Sequence, residues 1–285
     1  MVYKKHSILK SYSKINIFLN ILKKKTKLHL IHSFVLQINL IDRIKIQENS
    51  QKKDKIIFKG PNVKKISKNN SIIKILKLLR LKKILNNKYF KITIYKNIPI
   101  GAGLGGSSSN ATTLLKYLIK KFNLKISRQK TLKLLSLIGK DCSLFIDTKP
   151  KLIFNYGEKF KQVKFCPKLR LLIIYPNKIS LSKSVYKKNK TFSSASKIEK
   201  ILSKKKLKYN LLKNDLLEAS SSLTPEIPGI LKLFSKINKC KYYNITGSGS
   251  ACFGIFGDKK SLLNARKTFK RKYRNYWTAS VKTIN

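Results

Sequence analysis

Pro99-Ile100-Gly101-Ala102-Gly103-Leu104-Gly105-Gly106-Ser107-Ser108-Ser109-Asn110 is the densest signal in the chain, holding four of its 12 glycines. Upstream, Lys91-Ile-Thr-Ile-Tyr95 alternates as a strand, and downstream Asn110 to Phe122 has helical spacing. Strand, glycine loop and helix therefore follow one another. Glycines let backbone N–H groups wrap an anion where a Cβ would obstruct, and the helix that follows adds its positive end. Serines add donors for phosphate. The segment lacks the Gly-Lys-Ser/Thr that closes a Walker loop, and no His-Arg-Asp element follows it as in a protein kinase. A plain strand-to-helix turn would also use glycine, but the length and serine content favour a phosphate cradle.

Working outward, Ser13-Lys14-Ile15-Asn16-Ile17-Phe18-Leu19 alternates polar and apolar, and Phe34 to Ile38 leads towards Ile41 to Ile46 as further strand. Residues 71–85 have apolar side chains at three- and four-residue spacing, with Ser71 the predicted N-cap. Gln129 to Ile138, Leu211 to Ser221, Pro228 to Ile237 and Lys259 to Lys272 read as helices. Arg170 to Tyr175, Tyr242 to Ile245 and Cys252 to Phe256 read as strands. Lys- and Ser-rich residues 187–206 read as a linker. Glycine turns in both halves of this mixed pattern predict an α+β protein of two lobes, divided as 1–158 and 159–285.

The 285 residues carry 65 Lys+Arg against 11 Asp+Glu, a net charge of +54, with 42% hydrophobic residues. That apolar fraction excludes a disordered chain. The charge invites a nucleic-acid reading. However, Arg occurs at only seven positions and Lys is spread evenly, whereas phosphate and base readers favour Arg's planar fork. A compositional bias explains this better than a dedicated nucleic-acid surface. Cys142, Cys166, Cys240 and Cys252 are far apart, without the pairing of a zinc site or disulfide framework, and no uncharged apolar run reaches membrane-spanning length. These features predict a cytoplasmic protein with no membrane partner; oligomeric state leaves no signature.

Few carboxylates compete for a chemical role. Asp141, in Gly139-Lys140-Asp141-Cys142-Ser143, reads most simply as a helix cap or a salt bridge with Lys140, although a phosphoryl transferase needs such a carboxylate near its acceptor hydroxyl. Lys14 is one lysine among 58. His29 and His32 lie at i, i+3 with no third ligand evident, so no metal site is predicted. Thr246-Gly247-Ser248-Gly249-Ser250-Ala251 is a second glycine loop that a hairpin turn would equally explain.

Three ordered motifs resemble one family. The 99–110 segment is similar to the ATP loop of the GHMP kinases, residues 13–19 to the opening Ala-Lys-Ile-Asn-Leu-Phe-Leu of one branch, and 139–145 to its Gly-x-Asp-x-Pro-Phe-Phe. Residues 246–251 resemble the third family motif, and Asn214-Asp215 and Gly157-Glu158 fall where similar pairs recur. The resemblance implies a two-lobed GHMP kinase fold with its active site in the cleft. It also implies phosphorylation of the 2-hydroxyl of a cytidine diphosphate-linked methylerythritol, in the non-mevalonate route to isoprenoids, with homoserine or mevalonate kinase chemistry as the alternative. ATP would be the donor, with Mg²⁺ carried on its phosphates. Carried over position by position, Asp141 would be the base and Lys14 the cation supporting the acceptor oxygen. Pro99, Ile100, Gly101, Ala102, Gly103, Leu104, Gly105, Gly106, Ser107, Ser108 and Ser109 would hold the phosphates, and Lys96 and Asn70 would lie near the nucleotide base. Asn16 and His29 would contact the substrate, His29 reading the cytosine edge, while Tyr186 stacks on its face. One departure is Lys27-Leu28-His29, where the family has Gly-Tyr-His; an aliphatic face in place of an aromatic one costs about 1 kcal/mol of stacking. Another is Cys142-Ser143 in place of Val-Pro.

Overall fold

The computed structural model describes residues 6–25, 28–61, 63, 66–194 and 207–284; the side chains of 23–28 are outside the description. Two compact units form, and they interleave along the chain. One comprises Met1–Ser13, Leu40–Ile100 and Gly105–Asp147, the other Lys14–Asn39, Gly101–Leu104 and Thr148–Asn285. The long strands β1 (Ser7–Lys25) and β2 (Leu28–Glu48) contribute to both.

In the first unit, β3 (Lys55–Lys59) runs parallel to β4 (Phe90–Tyr95), with α1 (Ser71–Leu81) as the crossover between them, and β4 pairs antiparallel with the end of β2. A parallel pair requires such a crossover. Helix α1 buries Ile72, Ile75, Leu76 and Leu79, the stripe that its spacing predicts, each side chain contributing roughly 1.5–3 kcal/mol. Its cap is Asn70 rather than Ser71: the Asn70 carboxamide oxygen accepts from the N–H groups of Ile72 and Ile73. The helix ends at Leu81, short of residue 85. Beyond β4 come the glycine loop and then α2 (Gly106–Lys121) and α3 (Arg128–Ile138), followed by a short 3₁₀ turn, Cys142–Phe145.

In the second unit, the first half of β2 pairs with β5 (Lys151–Phe154), which pairs with β6 (Lys159–Gln162). A separate antiparallel sheet has β7 (Arg170–Tyr175) between β9 (Cys252–Phe256) and β10 (Trp277–Lys282), with β8 (Cys240–Ile245) beyond β9. Helices α4 (Ser182–Lys188), α5 (Leu217–Leu223), α6 (Glu226–Ser235) and α7 (Lys259–Lys272) complete it. Leu172, Ile174, Phe234, Cys252, Leu262 and Phe269 belong to one buried core, in which the Phe234 and Phe269 rings lie 4.4 Å apart. Residues 211–216, predicted helical, form a 3₁₀ turn and extended chain before α5, because Asn214 and Asp215 are spent on backbone partners elsewhere. The linker reading of 187–206 falls on the end of α4, then on irregular chain at 189–194 that is tied back where the Ser193 N–H donates to Ile21 O at 2.8 Å, and from 195 on outside the described residues.

Candidate active site

Asp141 opens the 3₁₀ turn at Cys142–Phe145, but its side chain makes no capping hydrogen bond there. The turn is tied down by other groups. The Cys142 N–H donates to Gly139 O at 3.0 Å, and the Thr112 hydroxyl of α2 donates to Cys142 O at 2.7 Å. Burial pushes the Cys142 thiol up to about 11, with a Ser108 side-chain hydrogen bond opposing that rise and the Asp141 charge adding to it. The loop serine and the candidate base thus share one thiol as neighbour. Ser107 exchanges hydroxyl contact with Ser71 at 2.9 Å, and the Ser71 hydroxyl also reaches Ser107 O at 2.8 Å. The Ser109 hydroxyl lies 2.7 Å from that of Ser11, both buried, so this residue serves the loop from behind. Gly105 precedes α2 in a left-handed conformation at φ +70°, and having no side chain it offers the first N–H groups of the helix no cap. Lys96 is ion-paired with buried Asp42.

The second unit gathers the remaining residues. Lys14 is only 4% exposed on β1, and its ammonium donates to the Asn16 carboxamide oxygen. Asn16 is oriented by its own network. Its Nδ2 donates to the Ser33 hydroxyl at 2.7 Å, which donates on to Phe18 O at 2.6 Å, while its backbone N–H donates to Thr246 Oγ1 at 2.9 Å. The Asn16 oxygen is thereby turned to the lysine. A Cβ on Gly247 would stand 3.3 Å from Lys14 Nζ. The second glycine loop joins β8 to β9, so it is a hairpin turn, and it also packs on the first loop, with the Ala251 N–H donating to Ala102 O at 3.3 Å. Asn214, which no role predicted from its residue type had singled out, holds this turn open by donating to Ile245 O and Gly247 O at 3.1 and 2.9 Å. His29 and Tyr186 have ring centroids 5.4 Å apart at 55°. Among the described residues no cluster of three or more His, Cys, Asp or Glu side chains forms a metal site, and no helix is long and apolar enough to cross a membrane.

Gly103 is the tightest point. At φ +77° a Cβ there would overlap the Thr246 carbonyl oxygen and stand 3.0 Å from that of Gly249, both backbone atoms. Gly103→Ala is therefore expected to displace one loop from the other and raise the KM for a nucleotide at least about tenfold, a loss of about 1.4 kcal/mol. Steady-state kinetics on the folded variant would check it; an unchanged KM would mean that this packing is irrelevant to the loop.

This arrangement, a serine- and glycine-rich loop at the start of a helix with a carboxylate turn beside it, is that of a small-molecule kinase. Residues 70–146 match the model for the GHMP kinases N terminal domain, and residues 196–275 match that for the GHMP kinases C terminal domain. A 4-diphosphocytidyl-2-C-methyl-D-erythritol kinase of Pelagibacter ubique is 38% identical over 279 residues, covering 97% of this chain and 98% of the relative. The chain belongs to the GHMP kinase family. The fold agrees. A crystal structure of a 4-(cytidine 5'-diphospho)-2C-methyl-D-erythritol kinase superposes with a TM-score of 0.80 at 21% identity, over 98% of this chain and 100% of that one. A mevalonate kinase gives 0.74 at 17%, over 98% and 99%.

Proposed function

We propose that this chain transfers the γ-phosphoryl group of ATP to the 2-hydroxyl of 4-diphosphocytidyl-2-C-methyl-D-erythritol, in the non-mevalonate synthesis of isoprenoid precursors. The His29–Tyr186 pair carries the choice of substrate. Two planar side chains 5.4 Å apart suit a pyrimidine held by one edge and one face, in a chain matched end to end by a relative of that name. The division at residue 158 belongs to the same reading, since one family model falls on each side of it.

Residues Pro99 to Ser109 hold the phosphates, through backbone N–H groups from Ile100 onward and the hydroxyls of Ser107 and Ser108; Lys96 and Asn70 border the nucleotide base. The hydroxyl oxygens of Ser107 and Ser108 are hard donors that would hold Mg²⁺ carried with ATP, where it would offset phosphate charge. Asp141 accepts the proton of the attacking hydroxyl, and Lys14 stabilises the oxygen that develops charge. Asn16 orients Lys14. Four cysteines that form no disulfide among the described residues fit a reducing cytoplasm.

The test is an assay of purified protein with the cytidylyl substrate, homoserine and mevalonate in parallel. Phosphorylation of the first alone is expected, and turnover of either other acceptor in its place would overturn the assignment. Tyr186→Ala is expected to raise the KM of the cytidylyl acceptor by about 5- to 150-fold, since stacking on a base contributes ~1–3 kcal/mol, without changing the KM for ATP.

A further inference from the structure

We infer that Asp42 is a positioning residue for the nucleotide loop, drawing the chain entering that loop and the chain leaving it onto one carboxylate. This rests on the kinase reading and adds to it a residue outside every motif. Asp42 lies in β2, in the apolar run Leu40-Ile41-Asp42-Arg43-Ile44, and is fully buried. Four donors meet it. Oδ1 accepts from the backbone N–H groups of Asn97 at 2.7 Å and Ile98 at 2.9 Å, and Oδ2 from the Asn110 amide at 3.0 Å and the Lys96 ammonium.

The placement of these donors along the chain carries the inference. Lys96, Asn97 and Ile98 immediately precede the loop at Pro99, and Asn110 immediately follows it at Ser109. The β3–β4 ladder ends at Tyr95, and the Lys96 N–H takes the last carbonyl, Lys59 O, at 2.7 Å. Beyond that point the N–H groups of Asn97 and Ile98 have no strand to pair with, and Asp42 is their acceptor. Lys96 Nζ in turn lies 3.2 Å from the position of a Cβ on Gly106, in the first turn of α2. An apolar residue would fill a strand interior as well as a buried ion pair does, so stability alone is a poor reason for this cluster. A fixed span between residues 98 and 110 is what it provides, and the spacing of the loop's N–H donors depends on that span.

Direct ADP binding by calorimetry, together with kinetics for both substrates, tests this. Asp42→Asn puts an amide donor against Lys96 and Asn110. It is expected to weaken ADP binding about tenfold or more and to raise the KM for ATP to match, with the acceptor KM unchanged. The charge-conserving double variant Asp42→Asn/Asn110→Asp reverses donor and acceptor and gives Lys96 a carboxylate on α2; it is expected to recover most of that affinity. If the single variant does not fold, Asn110→Ala removes one of the four donors and is expected to weaken ADP binding about threefold or more. A folded variant that binds ADP like the wild type, or that loses affinity for both substrates equally, would overturn the inference. Wild-type protein that binds ADP but leaves the cytidylyl acceptor untouched would fail the substrate assignment and not this one; wild-type protein that binds no ADP would sink both.

Discussion

Asp141→Asn is expected to lower kcat by ~10²–10⁴ while leaving ADP affinity and thermal stability close to those of the wild type. The amide matches the carboxylate in shape while removing its charge and its ability to take a proton. The Asp141 side chain does not cap the turn that it opens, and that turn is held by the Cys142 N–H on Gly139 and by Thr112 of α2 on Cys142 O. Replacing the side chain therefore leaves the turn in place. The phosphate-holding groups are backbone N–H donors and serines on a different segment, so nucleotide binding is not expected to follow the loss of turnover. Rapid-quench measurement of a single turnover would separate chemistry from product release. A variant that phosphorylates its acceptor at the wild-type rate would remove Asp141 as the base.

The loop at 99–110 was legible because four of the chain's 12 glycines cluster there with three consecutive serines, between a strand and a helix. Several helices were legible for a different reason, that a buried stripe imposes its period on the sequence; α1 and α7 are instances. The cap of α1 was misplaced by one residue because Asn70 and Ser71 are both good caps; the Ile72 and Ile73 N–H groups donate to Asn70, while the Ser71 hydroxyl is turned to Ser107. Asp42 was invisible to residue typing. A lone acid in an apolar run reads as the solvent side of a strand, and the donors that make it buriable come from residues 96–98 and 110, more than fifty positions away. Asn214 entered only through the family resemblance and without a role, because its partners lie on β8 and the turn after it.

β1 shows the same limit at the residue that matters most for charge, and it sets the second large expectation. The alternation Ser13-Lys14-Ile15-Asn16-Ile17 describes a strand with one wet face, yet Lys14 and Asn16 are each 4% exposed and the strand is buried on both sides. Burying an ammonium costs several kcal/mol unless polar partners surround it, so this lysine is held by design of its neighbours, Asn16 foremost. The other lysines of this +54 chain act mainly in high dielectric, where a unit charge at 4 Å is worth about 1 kcal/mol; at Lys14 the surroundings multiply that several-fold. Lys14→Met, which keeps the stem and deletes the charge, is accordingly expected to reduce kcat by ~10²–10³ with little change in either KM, the signature of a group that acts when charge develops on the acceptor oxygen. Raising the salt concentration is expected to leave that ratio of rates unchanged, because a buried charge is poorly screened, while it weakens any general attraction of the chain for anionic substrates. Comparing kcat for wild type and variant across a salt series checks both statements. A rate ratio that collapses towards one at high salt would mean that Lys14 contributes only as one more unit of surface charge.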